Sequence, residues 1–309
     1  MKLAYLFSGQ GAQYLNMGQD LYDNYKTYHD IIDQASAACG FDIQAKVHDE
    51  TALANTAMLQ PMVVAMSLGV HALVADQLPK PVAHLGLSLG EYSALIGAQA
   101  LDLKTGIQLV IKRGQLMQTA SEKSKGKMVA VMTKDHAQVA AICADIQAGY
   151  VNICNYNTSK QVVIGGDAAA VDLAKAKLDE AGFKTIPLKV AGAFHTPLMS
   201  YAAVNLSADL RAAAFKDPKV LTLSNTLVVP FDHVNTAETL IDQITEPTHF
   251  AQCLQKLGEL GVDTLVEVGP GHTLSGFARK TLKGIKTYHV EDQDTLTATV
   301  SALQGAMNA

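Results

Sequence analysis

Ser88 lies in a Gly-x-Ser-x-Gly pattern, between Gly86 and Gly90. An apolar run at 82–85 precedes the pattern, and a helix-like run at 89–98 follows it. A serine on a tight strand-to-helix turn adopts strained backbone angles, and small neighbours permit the close approach that the turn needs. The following helix points free N–H groups at whatever the serine attacks. We predict that Ser88 is a nucleophile; the alternative is a serine that only caps the helix.

A serine nucleophile needs a base, because the hydroxyl is unreactive at its own pKa. The chain has ten histidines. His195 is the best candidate, since Pro197 two residues later suits a loop that leads into a helix, where a base can face a serine at a strand end. Isolated histidines are more often structural, so position alone leaves both roles of His195 open.

Two glycine-rich loops follow predicted strands, one at 9–11 and one around Ser88. Ligands of open α/β sheets bind at the carboxyl ends of the strands. The backbone N–H groups of Gln10 and Leu89 could therefore hold a tetrahedral oxyanion together. The alternative for the first loop is an ordinary turn. A nucleotide-binding loop is disfavoured, because Tyr14 stands where Gly-x-Gly-x-x-Gly needs its third glycine.

Arg113 lies in the apolar face of a predicted helix, between Ile111 and Met117. A buried arginine needs an anionic partner. That partner is either a carboxylate of the protein, in a structural ion pair, or the carboxylate of a substrate, which arginine binds with two parallel hydrogen bonds.

A basic stretch near the C-terminus places four side chains on one side of a predicted helix: Arg279, Lys280, Lys283 and Lys286. Such a stretch is usually a solvated face, although it could receive phosphates or an acidic partner.

Strands and helices must alternate to position these residues. Apolar patterns predict strands at 3–7, 82–86 and 262–268, and helices at 61–77, 89–98 and 102–119. This alternation implies a parallel sheet, and we expect an α/β-hydrolase-like main domain.

A polar linker at 121–127 marks a change of pattern. After it, strands are predicted at 128–132, 150–155, 161–165 and 185–188, with helices at 137–147 and 168–181. This βαββαβ order is typical of a ferredoxin-like α+β subdomain. We expect a discontinuous catalytic domain at 1–124 and 189–309, with the subdomain inserted at 125–188.

Composition narrows the class of protein. The 309 residues are 49% hydrophobic and 17% charged, which is typical of a soluble globular chain, and the net charge of −5 argues against nucleic acid as a partner. The four cysteines have no Cys-x-x-Cys spacing, so reduced thiols of a cytoplasmic protein are expected rather than a disulfide or metal site.

Neither a membrane anchor nor a signal peptide is expected. Ser67 and His71 interrupt the longest apolar stretch, at 62–75, which therefore indicates a buried helix. The apolar run after Lys2 is too short for a signal-peptide core.

Over nearly its whole length, the chain resembles the malonyl-CoA:acyl carrier protein transacylase family of fatty acid and polyketide synthesis. The matching segments, with the family pattern in parentheses, are Phe7-Ser8-Gly9-Gln10-Gly11-Ala12-Gln13 (F-P-G-Q-G-S/A-Q), Leu59-Gln60-Pro61 (T-Q-P), residues 86–95 (G-H-S-x-G-E-Y-x-A-L), Arg113-Gly114 (R-G), Asn155-Tyr156-Asn157 with Gln161–Ile164 (N-x-N-S-P-x-Q-x-V-I), Phe194–Met199 (F-H-S-P-L-M) and Glu267–Gly271 (E-x-G-P-G).

The resemblance implies a Ser-His dyad. Ser88 attacks the malonyl thioester with His195 as its base, the amides of Gln10 and Leu89 form the oxyanion hole, and Arg113 pairs with the free malonyl carboxylate. The phosphopantetheine thiol of acyl carrier protein then attacks the malonyl-serine ester, in a ping-pong transfer with no metal and no redox cofactor. Gln60, Met117 and Phe194 are the other expected substrate-binding residues.

The family orients its histidine with a backbone carbonyl from a segment written N-P-V-Q-W/F, which here is Glu246-Pro247-Thr248-His249-Phe250. The expected carbonyl is therefore that of His249. Two residues depart from the pattern: Ser8 replaces a proline, and Leu87 replaces a histidine.

Malonyl is the expected acyl group. Phe194 and Leu89 would crowd an α-methyl group, and in the resembling family a Phe-His pair goes with malonyl. One methyl group is worth only ~1–3 kcal/mol in a pocket, so other acyl groups are not fully excluded.

The main hypothesis is a free-standing cytoplasmic malonyl transferase, monomeric, with malonyl-CoA and a separate acyl carrier protein as its partners, and with no nucleic acid or membrane partner. Fatty acid and polyketide pathways both fit. A serine esterase or thioesterase is the first alternative, although a hydrolase has no need of the buried cation Arg113. An acyl-binding scaffold with a relic site is the second.

Overall fold

The computed structural model describes residues 1–307. The strands are β1 (Leu3–Phe7), β2 (Ala83–Gly86), β3 (Lys127–Met132), β4 (Val151–Thr158), β5 (Gln161–Gly166), β6 (Lys184–Pro187), β7 (Leu221–Leu223), β8 (Thr264–Val268) and β9 (Lys286–Val290).

The helices are α1 (Gln19–Asn24), α2 (Lys26–Cys39), α3 (Ile43–Lys46), α4 (Glu50–Ala54), α5 (Thr56–Ala75), α6 (Gly90–Gly97), α7 (Leu103–Ser124), α8 (His136–Ala144), α9 (Ala168–Glu180), α10 (Ser200–Ala212), α11 (Thr236–Asp242), α12 (Phe250–Glu259), α13 (Thr273–Thr281) and α14 (Gln293–Met307). A short 3₁₀ turn, Pro197–Met199, precedes α10.

The larger sheet has the strand order β7-β2-β1-β8-β9, and every pair in it is parallel. All residues of β1, β2 and β8 are buried, as expected when helices cover both faces of a parallel sheet. Tyr5 and Phe7 belong to a core that includes α5 and α7, whereas Ala4 and Leu6 pack with α12 and α13 on the opposite face. The predicted mixed α/β fold with a parallel sheet is confirmed.

The smaller sheet is antiparallel, with the order β4-β5-β3-β6, and α8 and α9 share its core. Its elements follow one another as βαββαβ, which is the predicted ferredoxin-like subdomain. The domain boundaries at 124/125 and 188/189 stay a prediction. They agree with a sheet that begins at Lys127 and ends at Pro187.

Helix α5 begins five residues earlier than expected. Pro61 was predicted to be its first residue, but the Asn55 side chain accepts the N–H groups of Ala57 and Met58 and so caps the helix at Thr56. Among residues 1–307, α5 alone is long and apolar enough to cross a membrane, and 78% of its most apolar window is buried inside the fold. This burial agrees with the expected core helix.

Helix α7 begins as predicted, because the Asp102 side chain accepts the N–H of Thr105. It continues to Ser124 and so includes most of the expected linker at 121–127. The basic stretch does not form one helical face, because α13 ends at Thr281 and Lys286 begins β9.

Hydrogen bonds at Thr248 join strand β4 of the smaller sheet to the segment that precedes α12 in the main domain. Thr248, which precedes α12, accepts the N–H of Tyr156 (2.7 Å) and donates to the carbonyl of Cys154 (3.0 Å). The Asn155 amide adds a hydrogen bond to the Thr248 hydroxyl at 2.8 Å. Strand β4 thereby fixes the segment that runs from α11 to α12.

Candidate active site

Ser88 occupies the turn between β2 and α6. Its φ of 52° lies in the left-handed region that favours glycine. A Cβ on Gly86 would come within 2.0 Å of the Gly90 carbonyl carbon, and a Cβ on Gly90 within 2.2 Å of the Phe7 carbonyl oxygen. Both glycines are therefore required by packing, and the strained turn has the geometry of a nucleophile elbow.

The loop at Gln10 packs against this turn. A Cβ on Gly9 would lie 2.6 Å from the Leu87 carbonyl oxygen, which shows how closely the two backbones approach. Gln10 and Leu89 both line the cleft. Their backbone N–H groups donate to no other protein group in the described part of the chain. Two free amides are thus available at the same cleft as the Ser88 hydroxyl.

His195 is buried and lines the same cleft, with a left-handed φ of 60°. Its Nδ1 lies 2.7 Å from the backbone carbonyl oxygen of Gln243, a contact that places the ring proton on Nδ1 and leaves Nε2 as the basic nitrogen. Burial, together with the nearby charge of Arg113, lowers the pKa of His195 to about 4. The ring is therefore neutral, and able to accept a proton, at neutral pH.

The prediction that the His249 carbonyl orients this ring is wrong. The orienting carbonyl belongs to Gln243, six residues earlier. His249 is the N-cap of α12, and its carbonyl accepts the N–H groups of Gln252 and Cys253, both at 3.1 Å. Its ring instead stacks on Tyr156, with centroids 5.0 Å apart.

Arg113 is buried, with 1% of its surface exposed. Its Nη2 donates to Ser88 Oγ (3.1 Å) and to Gln243 Oε1 (2.9 Å), while Nη1 donates to Gln60 Oε1 (2.9 Å). No carboxylate lies within salt-bridge distance of it in residues 1–307, and the buried Glu91 carboxylate is linked to it only through the Gln243 amide. A buried cation held only by neutral acceptors has a strong preference for an anionic ligand.

Glu91 is fully buried and contacts Gln243, the residue that accepts a hydrogen bond from Arg113. Its Oε2 accepts the Gln243 side-chain amide, and its Oε1 accepts the backbone N–H of Asn225 at 2.5 Å. Burial raises the pKa of Glu91 to about 7, although these hydrogen bonds and Arg113 oppose the rise. Glu91 and the Ser88 carbonyl oxygen, which accepts from the same nitrogen at 3.0 Å, therefore set the orientation of the Gln243 amide, whose oxygen faces Arg113.

Neither Gln243 nor Glu91 was predicted from the sequence as a site residue. Glu91 lies inside the matching segment 86–95, so its acidic side chain next to a buried elbow was a usable signal. Gln243 follows α11 in a polar stretch and carries no such signal.

The cleft itself has a volume of about 480 Å³. Met117, Phe194 and Leu87 line it from the main domain, and the smaller sheet contributes Asn155, Asn157, Gln161 and Val163. No hydrogen bond joins His195 to Ser88 in the described residues, and the Ser88 oxygen accepts from Arg113.

Gln60 differs from the expected substrate contacts. It is fully buried and does not line the cleft. Its amide oxygen holds Arg113, and its Nε2 donates to Gln10 Oε1 at 3.3 Å. Gln60 therefore positions Arg113 and the Gln10 loop, and its expected contact with the substrate stays a prediction.

Comparison with known proteins gives one consistent result. The acyl transferase domain model matches residues 4–303. A malonyl CoA-acyl carrier protein transacylase of Bacillus subtilis is 34% identical, with 98% of each chain covered. The crystal structure of MCAT from Streptococcus pneumoniae is 39% identical with a TM-score of 0.94, covering 98% of this chain and 100% of that chain. A malonyl-transacylase solved in complex with its type II PKS acyl-carrier protein is 30% identical with a TM-score of 0.94, at 98% and 100% coverage.

Proposed function

The chain belongs to the acyl transferase domain family, and on this premise we propose that it transfers malonyl from malonyl-CoA to the phosphopantetheine thiol of acyl carrier protein in fatty acid biosynthesis. One observation carries the choice of acyl group. The guanidinium of Arg113 lies 3.1 Å from Ser88 Oγ, buried and without a carboxylate partner among residues 1–307. A malonyl group has a thioester at one end for Ser88 and a carboxylate at the other for Arg113.

Binding of malonyl is proposed to release the nucleophile. In the free protein, Ser88 Oγ accepts a hydrogen bond from Arg113 Nη2. A substrate carboxylate is a stronger acceptor for a guanidinium than a hydroxyl is. The Ser88 side chain, no longer held by Arg113, can then turn its O–H toward Nε2 of His195, a contact that tightens only once the substrate is bound.

Acylation then proceeds at the thioester carbonyl. Ser88 Oγ forms a bond to the carbonyl carbon while its proton passes to Nε2 of His195, and the amides of Gln10 and Leu89 stabilise the oxyanion. The carbon–sulfur bond breaks, and the CoA sulfur takes the proton from His195. The carrier thiol reverses these steps, so each proton and electron pair balances without a cofactor.

Discrimination against larger acyl groups rests on the cleft wall. Phe194 and Leu89 line the cleft beside the dyad, where an α-methyl group would be placed. We expect ~1–3 kcal/mol of preference for malonyl over methylmalonyl.

We place the enzyme in the cytoplasm, as a monomer that meets its carrier protein in solution. The four cysteines are free thiols, which supports a reducing compartment. The second candidate is a stand-alone acyltransferase of polyketide synthesis, because the type II PKS complex aligns over the same length as the other relatives.

Release of CoA from malonyl-CoA, measured with and without holo acyl carrier protein, tests the proposal. We expect one rapid turnover without carrier, a malonyl adduct by intact mass, and steady turnover once carrier is added. Ser88→Ala should lose the adduct. Continuous CoA release that ignores the carrier would instead identify a hydrolase, and absence of any wild-type adduct would favour a binding protein.

Transfer rates to fatty acid and polyketide carrier proteins separate the two pathways.

A further inference from the structure

Three side chains outside the proposed active site bring nitrogen and oxygen donors together. His272 is the N-cap of α13, His289 lies in β9, and Glu291 follows β9 directly. His289 Nε2 lies 3.5 Å from Glu291 Oε1, and His272 Nδ1 lies 4.0 Å from the same oxygen. One donor atom from each residue falls within 4.8 Å of the other two.

These separations are close to those of a metal centre. Zinc binds imidazole nitrogen at ~2.0–2.1 Å and carboxylate oxygen at ~2.0–2.2 Å, so two tetrahedral ligands lie about 3.4 Å apart. The His289–Glu291 pair has nearly this spacing already. The His272 side chain is 65% exposed, so a rotation of its ring in solvent can close the remaining distance.

A backbone N–H group fixes the position of the Glu291 carboxylate. Glu291 Oε2 accepts the backbone N–H of Gly271 at 2.8 Å, which fixes the group and leaves Oε1 facing the two imidazoles. Hydrogen bonding of a ligand carboxylate in this way is a regular feature of protein metal sites.

Charge also favours a cation here. The charged groups near His289 are the carboxylates of Glu291 and Asp292 and the guanidinium of Arg279. Two carboxylates against one guanidinium leave the local charge negative.

We propose that His272, His289 and Glu291 bind one divalent transition-metal ion of the zinc class. Two imidazoles and one carboxylate suit Zn²⁺, Co²⁺ or Ni²⁺ rather than Mg²⁺ or Ca²⁺. Three protein ligands leave one position open to water. His272 precedes Thr273, which lines the cleft wall, so this ligand is adjacent to the cleft in sequence.

Titration of the metal-stripped protein with Co²⁺ and Zn²⁺ tests this proposal. We expect one ion per chain, with a visible Co²⁺ spectrum that has nitrogen and oxygen ligands and no thiolate charge-transfer band. His272→Ala and Glu291→Gln should each weaken binding about tenfold or more. His233→Ala is the matched control, since that exposed ring pairs only with Asp217 and should leave the affinity unchanged.

Circular dichroism melts verify that the variants remain folded, as expected for His272 in particular because its side chain is largely in solvent. Wild-type affinity in His272→Ala or in Glu291→Gln, or a thiolate band, would overturn the proposal. A wild type that binds no more tightly than a variant with both substitutions would overturn it as well.

Discussion

Replacing Glu91 with glutamine changes one buried oxygen into an amide nitrogen with almost no change of size. Both carboxylate oxygens now accept hydrogen bonds, one from the backbone N–H of Asn225 and one from the side chain of Gln243. A glutamine offers only one acceptor, so one of these contacts would place a donor against a donor. The backbone N–H cannot turn, so relief of this contact requires the Gln243 amide to rotate and to give up the hydrogen bond from its nitrogen to the Ser88 carbonyl at 3.0 Å as well.

A rotated Gln243 amide presents its nitrogen to Arg113, where its oxygen now accepts from Nη2 at 2.9 Å. Hydrogen bonds to charged groups contribute ~1.5–3 kcal/mol. We therefore expect kcat/KM for malonyl-CoA to fall about 10- to 150-fold in Glu91→Gln, since every 1.4 kcal/mol is about tenfold. Transfer of acetyl, which has no carboxylate for Arg113, should change far less.

The pH dependence of the wild type supplies a second readout. The pKa of Glu91 is raised to about 7, so its acid form grows as the pH falls through that value, and a protonated carboxyl also faces two donors. Activity toward malonyl-CoA should therefore fall below pH 7 in the wild type. In Glu91→Gln this fall of activity below pH 7 should be absent. His195 does not produce it, because its lowered pKa of about 4 keeps it neutral there.

Kinetics with malonyl-CoA and acetyl-CoA from pH 5.5 to 8.5, on the wild type and on Glu91→Gln, test whether Glu91 acts on malonyl binding through Gln243 and Arg113. Asp102→Asn, at the exposed helix cap of α7, is a carboxyl-to-amide control away from the cleft. Equal losses for the two acyl groups, or malonyl activity within about twofold of wild type, would refute the role assigned to Glu91.

Three further predictions follow from the same geometry. Arg113→Ala should lose malonyl transfer and gain acetyl transfer in the same assays, and equal losses of both would show that Arg113 does not select for the carboxylate. Gly90→Ala should lower the melting temperature and the soluble yield, because its Cβ would lie 2.2 Å from the Phe7 carbonyl oxygen, and overpacking of this kind costs ~1–3 kcal/mol. Asn55→Ala should destabilise the protein by ~0.5–2 kcal/mol in urea unfolding, through loss of the α5 cap, with an unchanged pH profile.

The sequence was informative where local chemistry decides the structure. The Gly-x-Ser-x-Gly pattern predicted the Ser88 turn because only glycines fit against β1 and α6, and Asp102 marked the start of α7 because its side chain caps the helix. Pro61 was misleading, since the Asn55 cap outweighs the preference of proline for the first helical position.

Contacts between distant segments could not be predicted in the same way. Gln243 meets Arg113, Glu91 and His195 only because β4 fixes the segment after α11 against the smaller sheet. A carbonyl that orients a histidine uses no side chain, so nothing in the residue type distinguishes Gln243 from His249. That assignment depends on tertiary structure alone.

The position of β1 in the larger sheet has a consequence for synthesis of the chain. β1 lies between β2 and β8, and Leu3 pairs with Thr264, near the other end of the chain. At ~5–20 residues per second, a ribosome needs roughly 10–50 s after making β1 to reach β8. During that interval one edge of an apolar strand is unpaired, whereas the smaller sheet, at 127–187, can close from one continuous segment. The smaller sheet can therefore form on the nascent chain before the larger sheet is complete, at a stage when the host domain is still open to chaperones and to aggregation.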